Sequence, residues 1–137
     1  MSEILKILDK ARSRLEAASF LLDHGFLNDS LNRSYYAAFA AVTMVHSLEG
    51  NSFNSHQQAL GNFNKEYVAT GIFDKKLGKA LYTLFNDRQL ADYDTTVDFT
   101  SESAVKSFQA AKLIVDECEK FCRGKYPELF NDKKSKF

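Results

Sequence analysis

The sequence predicts an all-α protein, an antiparallel bundle of four to five helices, and three observations carry that reading. Apolar residues recur three and four apart over long stretches, no segment keeps the period-two alternation of a half-buried strand, and proline occurs once, at Pro127. A chain of 137 residues, 45% of them hydrophobic, can build one compact domain with a substantial core and falls short of two. The connections between periodic stretches are short, so neighbouring helices run antiparallel. The bundle is expected over residues 1–125, followed by a polar C-terminal tail over 126–137.

The first helix covers about residues 3–23, because Ile4, Leu8, Ala11, Leu15, Ala18 and Leu22 form one stripe, and Gly25 supplies a left-handed stop. Asn28 or Asp29 caps a second helix reaching about Leu48, with Leu31, Tyr35, Ala38, Val42 and Val45 on one seam. Tyr36, Phe39 and Met44 load its flanks, which makes it the central helix. Residues 50–54 form a loop. Ser55 and Gln58 have capping-box spacing and start the third helix, which turns Leu60, Phe63 and Tyr67 inward and ends near Thr70 and Gly71. Asp74 caps a fourth helix that ends around Arg88 to Asp92. The stretch "YDTTVDFTS" is a loop, and Thr100 or Ser101 caps a fifth helix running to about Arg123.

Eighteen basic and eighteen acidic side chains cancel, so no global field draws the chain to nucleic acid or an anionic membrane. A local basic excess appears from Arg123 onward, where five basic side chains face two acidic ones, and a solvated terminus accounts for it. The N-terminal run mixes charged and apolar residues, unlike a secretory signal, and a cytoplasmic location is expected. Residues 34–48 lack Asp, Glu, Lys and Arg, but a membrane span needs about 20 residues, so this is read as a buried helix and no membrane contact is expected. Cys118 and Cys122 continue the stripe of Phe108, Ala111 and Val115 and read as reduced core residues.

One residue breaks the pattern. Leu77, Leu81 and Leu84 step along the fourth helix by four and three, and the next step of four lands on Arg88, followed by Ala91. A charge on an inward stripe is costly unless a carboxylate, a phosphate or a wet cleft receives it. Two readings stand together: an ion pair with Asp92, Asp87 or Asp94 that ends the helix, or a planar fork that grips phosphate or carboxylate. His56, in the first turn of the third helix, is expected to be uncharged near neutral pH beside the positive end of the helix dipole. Arg33, Tyr35 and Tyr36 in "NRSYYAAF" form a third group, as rim residues of the core or as a stacking platform for a base. No phosphate-binding glycine loop, nucleophile elbow or paired metal-ligand spacing occurs, and neither a cofactor nor a metal is expected.

Taken in order, "NRSYYAAF", "NSHQQALGNFNKEYVATGIFD" and "LFNDRQLADYD" resemble the HEPN superfamily (higher eukaryotes and prokaryotes nucleotide-binding), in its small stand-alone prokaryotic branch, over about residues 4–123. That resemblance implies a helical bundle, commonly dimeric, often encoded beside a minimal nucleotidyltransferase in toxin–antitoxin or defence cassettes. It also implies, for the ribonuclease members, an arginine, a polar residue after it and a histidine a few residues on, meeting across a dimer. Here the arginine is Arg88 and the polar residue is Gln89. The place of the histidine is taken by Tyr93, and no histidine follows it in the chain. A tyrosine of pKa about 10 is a poor proton acceptor at neutral pH.

The leading expectation is therefore a binder of nucleotide, RNA or a nucleotidyltransferase partner, using Arg88, Gln89, Asp92, His56, Tyr36 and Arg33. The alternative is a metal-independent endoribonuclease toxin acting as a homodimer, with Arg88 and Tyr93 as catalytic residues or His56 in place of Tyr93. A second alternative is a non-catalytic helical interaction module. The aromatic richness of the chain, 12 Phe and 6 Tyr, points to spare apolar surface and to a homodimer.

Overall fold

Each apolar stripe of the sequence buries its residues against another helix. The structure, a computed structural model, describes residues 3–93 and 99–131, and for Asp92 and Tyr93 the backbone only. Five α-helices follow in order: α1 (Glu3–Asp23), α2 (Leu27–Leu48), α3 (His56–Phe63), α4 (Lys75–Tyr93) and α5 (Ser101–Lys125). A π-helical turn (Asn64–Val68) extends α3, and a short 3-10 turn (Pro127–Phe130) follows α5. The described residues contain no strand, which makes the protein an all-α bundle. No described helix is long and apolar enough to cross a membrane.

The corner between α1 and α2 takes three residues. Gly25 adopts φ +80°, which lets Phe26 N–H reach Leu21 O at 2.9 Å and Gly25 N–H reach Leu22 O at 3.2 Å. That pair of bonds satisfies carbonyls the helix end would leave open. Because Phe26 is already turned, α2 starts at Leu27, with Ser30 N–H bonded to Phe26 O. The expected cap at Asn28 or Asp29 is therefore corrected: both sit inside the first turn, where the charge of Asp29 suits the helix dipole.

The other caps follow the side chains. Ser55 accepts from Gln58 N–H, Asp74 from Lys76 N–H, and Thr100 rather than Ser101 accepts from Ser103 N–H. The third helix departs from expectation at Asn64, where the backbone widens into the π turn and Ala69 N–H bonds to Asn64 O. The wider turn keeps Phe63 and Tyr67 both buried, their rings stacked 5.2 Å apart with Phe73 beside them. Gly71, at φ +85°, ends the segment. Most of the loop expected before α5 lies outside the described residues.

α2 is central and packs on α1, α4 and α5. Its seam of Leu31, Tyr35, Ala38, Val42 and Val45 is buried, and so is Met44. Alanines at 37, 38, 40 and 41 let neighbouring helices approach closely. Cys118 and Cys122 are free and buried in the core, where burial pushes both thiols up, Cys122 to about 12, so neither is a thiolate at neutral pH. α1 is tied to α5 through Arg12, which donates to Asp116 at 2.7 Å and to Glu119. Glu119 also accepts from Arg123, whose guanidinium donates to Phe130 O at 3.2 Å and lies 5.0 Å from the Phe130 ring. Residues 126–130, placed in the polar tail by composition, are thus folded onto the bundle with Phe130 in the core.

Ile114 is fully buried and its neighbour Leu113 is 36% exposed. Ile114→Ala should cost about 2–5 kcal/mol in urea unfolding, and Leu113→Ala about 0.5 kcal/mol or less. Equal costs would contradict the register of α5.

Candidate functional site

The leucine stripe of α4 runs from the buried core out to its rim. Leu77, Leu81 and Leu84 are buried, and one step further Arg88 is half-buried, with its guanidinium against α2. Two successive tyrosines of α2 receive it. The Arg88 guanidinium carbon lies 4.9 Å from the Tyr35 ring centre and 5.5 Å from that of Tyr36, and Nη2 donates to Tyr36 Oη at 3.1 Å. The negative ring faces attract the cation. The two rings meet edge to face, 5.2 Å apart, so each fixes the other.

α3 closes the other side. The His56 ring stacks on Phe39 at 3.8 Å, meets the Tyr36 ring edge-on at 5.8 Å, and its Nδ1 shares a 3.0 Å hydrogen bond with Tyr35 Oη. The 5.5 and 5.8 Å steps through Tyr36 hold guanidinium and imidazole within about 11 Å of each other. Burial, and then the positive charge of Arg88, hold the His56 pKa below its ordinary value. A neutral imidazole is what the sequence suggested, but desolvation and Arg88 account for it here.

Two openings flank the cluster. Asn28, Asp29, Leu31, Asn32 and Ala91 surround a hollow of about 180 Å³ beside Arg88. A larger pocket of about 340 Å³ lies beyond His56, between α2 and residues 51–55. Arg88 thus stands between the ring cage and an opening with polar walls. Such an arrangement can hold an anion while keeping the cation oriented.

Of the residues singled out by sequence, Arg88, Tyr36 and His56 come together. Arg33 and Gln89 are exposed, and none of the hydrogen bonds or ring contacts described for the cluster involves them. The side chains of Asp92 and Tyr93 lie outside the described residues, as does Asp94. Asp87, one of the candidate partners of Arg88, instead accepts from Ser107 of α5 at 3.1 Å, and burial pushes its carboxyl up. Phe39 was read only as a core flank, yet its ring and the Tyr35 hydroxyl both position His56. The period-of-four spacing from Tyr35 to Phe39 signalled their shared face, but nothing local signalled the histidine they receive.

Comparison with known proteins identifies the family. The HEPN domain family model matches residues 4–121. A "UPF0332 protein" of Thermotoga maritima is 36% identical over 124 residues, covering 88% of this chain and 94% of its own. A Methanocaldococcus jannaschii protein named "Putative toxin" is 28% identical, covering 87% of this chain and 81% of its own. A second protein of that organism with the same designation is 27% identical over 118 residues, 86% of this chain and 87% of its own. The chain belongs to the HEPN domain family.

His46 is also held below its ordinary pKa, by burial. Below pH 6.5, the ordinary histidine value, the unfolded chain binds protons that both folded imidazoles resist, so stability is full above that pH and falls as the pH drops from it. NMR titration should place both histidines below 6.5, and Arg88→Ala should move His56, not His46, upward. A His56 pKa insensitive to Arg88→Ala would contradict the proximity of the two groups.

Proposed function

We propose that this HEPN protein is toxin-like and grips a phosphate of RNA or of a nucleotide with Arg88. The observation that carries this reading is the half-buried guanidinium, held over the rings of Tyr35 and Tyr36 and bordering a polar hollow. The ring contacts and the Tyr36 hydroxyl orient the guanidinium, and the fork supplies bidentate geometry for a phosphate. Toxin designations among the relatives support placing the protein in a toxin–antitoxin or defence-type cassette, and the family resemblance suggests a minimal nucleotidyltransferase as its partner. A homodimer in the cytoplasm is part of the same reading. Phe20, Phe26, Tyr82 and Leu90, each at least half exposed, supply apolar surface for it.

A second reading is favoured by His56. In an endoribonuclease acting as a dimer, the neutral imidazole would take the proton of a ribose 2′-hydroxyl as that oxygen attacks the adjacent phosphorus. Arg88 would balance the charge gathering on the phosphoryl oxygens while the bond from phosphorus to the 5′-oxygen breaks and that oxygen takes a proton from water. The products would be a cyclic 2′,3′-phosphate and a free 5′-hydroxyl. His56 here fills the role for which Tyr93 is chemically unsuited.

Arg88→Ala should weaken binding of a fluorescent single-stranded RNA by tenfold or more in anisotropy titrations, the loss of about 1.4 kcal/mol or more expected for charged hydrogen bonds. Its circular dichroism should remain helical. Arg88→Lys should recover part of the affinity, because it keeps the charge and loses the fork. Unchanged affinity in a folded Arg88→Ala protein would remove the phosphate grip. Cleavage of that RNA by the wild type, lost in His56→Gln, would favour the enzyme over the binder.

A further inference from the structure

The 340 Å³ pocket beyond His56 is the largest recess touching the Arg88 cluster, and nothing in the phosphate grip uses it. Its volume lies at the lower end of the roughly 300–1,000 Å³ range of small-molecule sites. Three aromatic residues line it, Phe39, His56 and Phe53, and with them Ser47, Asn51 and Asn54. Among the described residues, none of those three polar side chains makes a hydrogen bond within the protein. Aromatic faces joined to open amide groups are what a planar heterocycle with donors and acceptors on its edge requires.

A buried histidine borders the same pocket. His46 lines this pocket and is 2% exposed. Its Nε2 lies 2.9 Å from the Ala59 carbonyl, which can only accept, so the neutral ring carries its proton on Nε2 and presents Nδ1 as an acceptor. No donor among the described residues reaches that Nδ1. That nitrogen is itself closed to solvent, so the pocket meets other atoms of the ring.

We infer that this pocket is a nucleobase subsite: the base of the nucleotide whose phosphate Arg88 grips stacks against the Phe39, Phe53 and His56 rings, and Asn51 and Asn54 read its edge. The inference rests on the phosphate-grip reading, and the separation supports joining the two. His56 walls both the pocket and the cage, within about 11 Å of the guanidinium, a span that one nucleotide and its phosphate can bridge. A base seated here would make affinity depend on base identity, which a phosphate grip by itself does not.

Calorimetry or ligand-observed NMR with the four nucleoside 5′-monophosphates and with ribose 5-phosphate, which lacks a base, tests this. The wild type should bind at least one monophosphate tenfold or more tightly than ribose 5-phosphate. Ser47→Trp, which fills the pocket from an exposed position, and Asn51→Ala/Asn54→Ala should bring that monophosphate down to the level of ribose 5-phosphate and leave ribose 5-phosphate unchanged. Arg88→Ala should weaken both ligands. A base preference that survives both pocket variants would overturn the subsite while leaving the grip intact. Loss of preference in the pocket variants, with no effect of Arg88→Ala, would overturn the grip while retaining the subsite. Wild-type protein that binds no monophosphate better than ribose 5-phosphate at millimolar concentration would also overturn the subsite.

Discussion

A positive charge one helical step beyond three buried leucines has to be held somewhere, and much of the bundle's upper rim is arranged around that need. Removing a guanidinium from water is costly unless its charge is answered. Here α2 supplies two neighbouring ring faces and a hydroxyl, and α3 supplies a neutral imidazole that does not add a second positive charge. The three elements come from distant parts of the chain, so their meeting depends on the whole fold. The central position of α2 is the structural condition for it, because Tyr35 reaches the core and Tyr36 the rim only when α2 is covered on several sides.

This arrangement also sets the chemical character of the site. Arg88 and burial act on His56 in the same direction, and both favour its uncharged form. The Tyr35 hydroxyl and the Phe39 face orient the ring, so it is fixed in position as well as in charge. An arginine and an oriented neutral histidine on one rim suit a phosphate and a proton transfer, which links a binder and a nuclease through the same residues. Membership of the HEPN domain family and the toxin designations among relatives are consistent with either.

Much of the fold was legible because helices repeat. The stripes of α1, α2 and α5, the caps at Ser55, Asp74 and Thr100, and the left-handed turn at Gly25 are local features, and local physics decides them. The start of α2 was not, because the bonds closing α1 through Phe26 set it, and an attractive cap residue two positions on could not compete. Residues 126–130 look polar as a string, yet Phe130 and the carbonyl beside it meet Arg123, a contact that composition does not encode. At the site, the inward register of Arg88 followed from spacing. Its companions did not, since Tyr36 and His56 lie 52 and 32 positions away in sequence and meet it through tertiary packing. Asp92 and Tyr93, adjacent in sequence, remain expectations from the family resemblance.

The most direct measurement is a crystal structure of the protein with a 2′-deoxy dinucleotide, which cannot undergo attack by a neighbouring hydroxyl. The expected result is a phosphate within hydrogen-bond reach of the Arg88 guanidinium, with Tyr35 and Tyr36 still beside it and a base next to His56. A dinucleotide bound elsewhere on the bundle, with Arg88 touching none of it, would contradict the account.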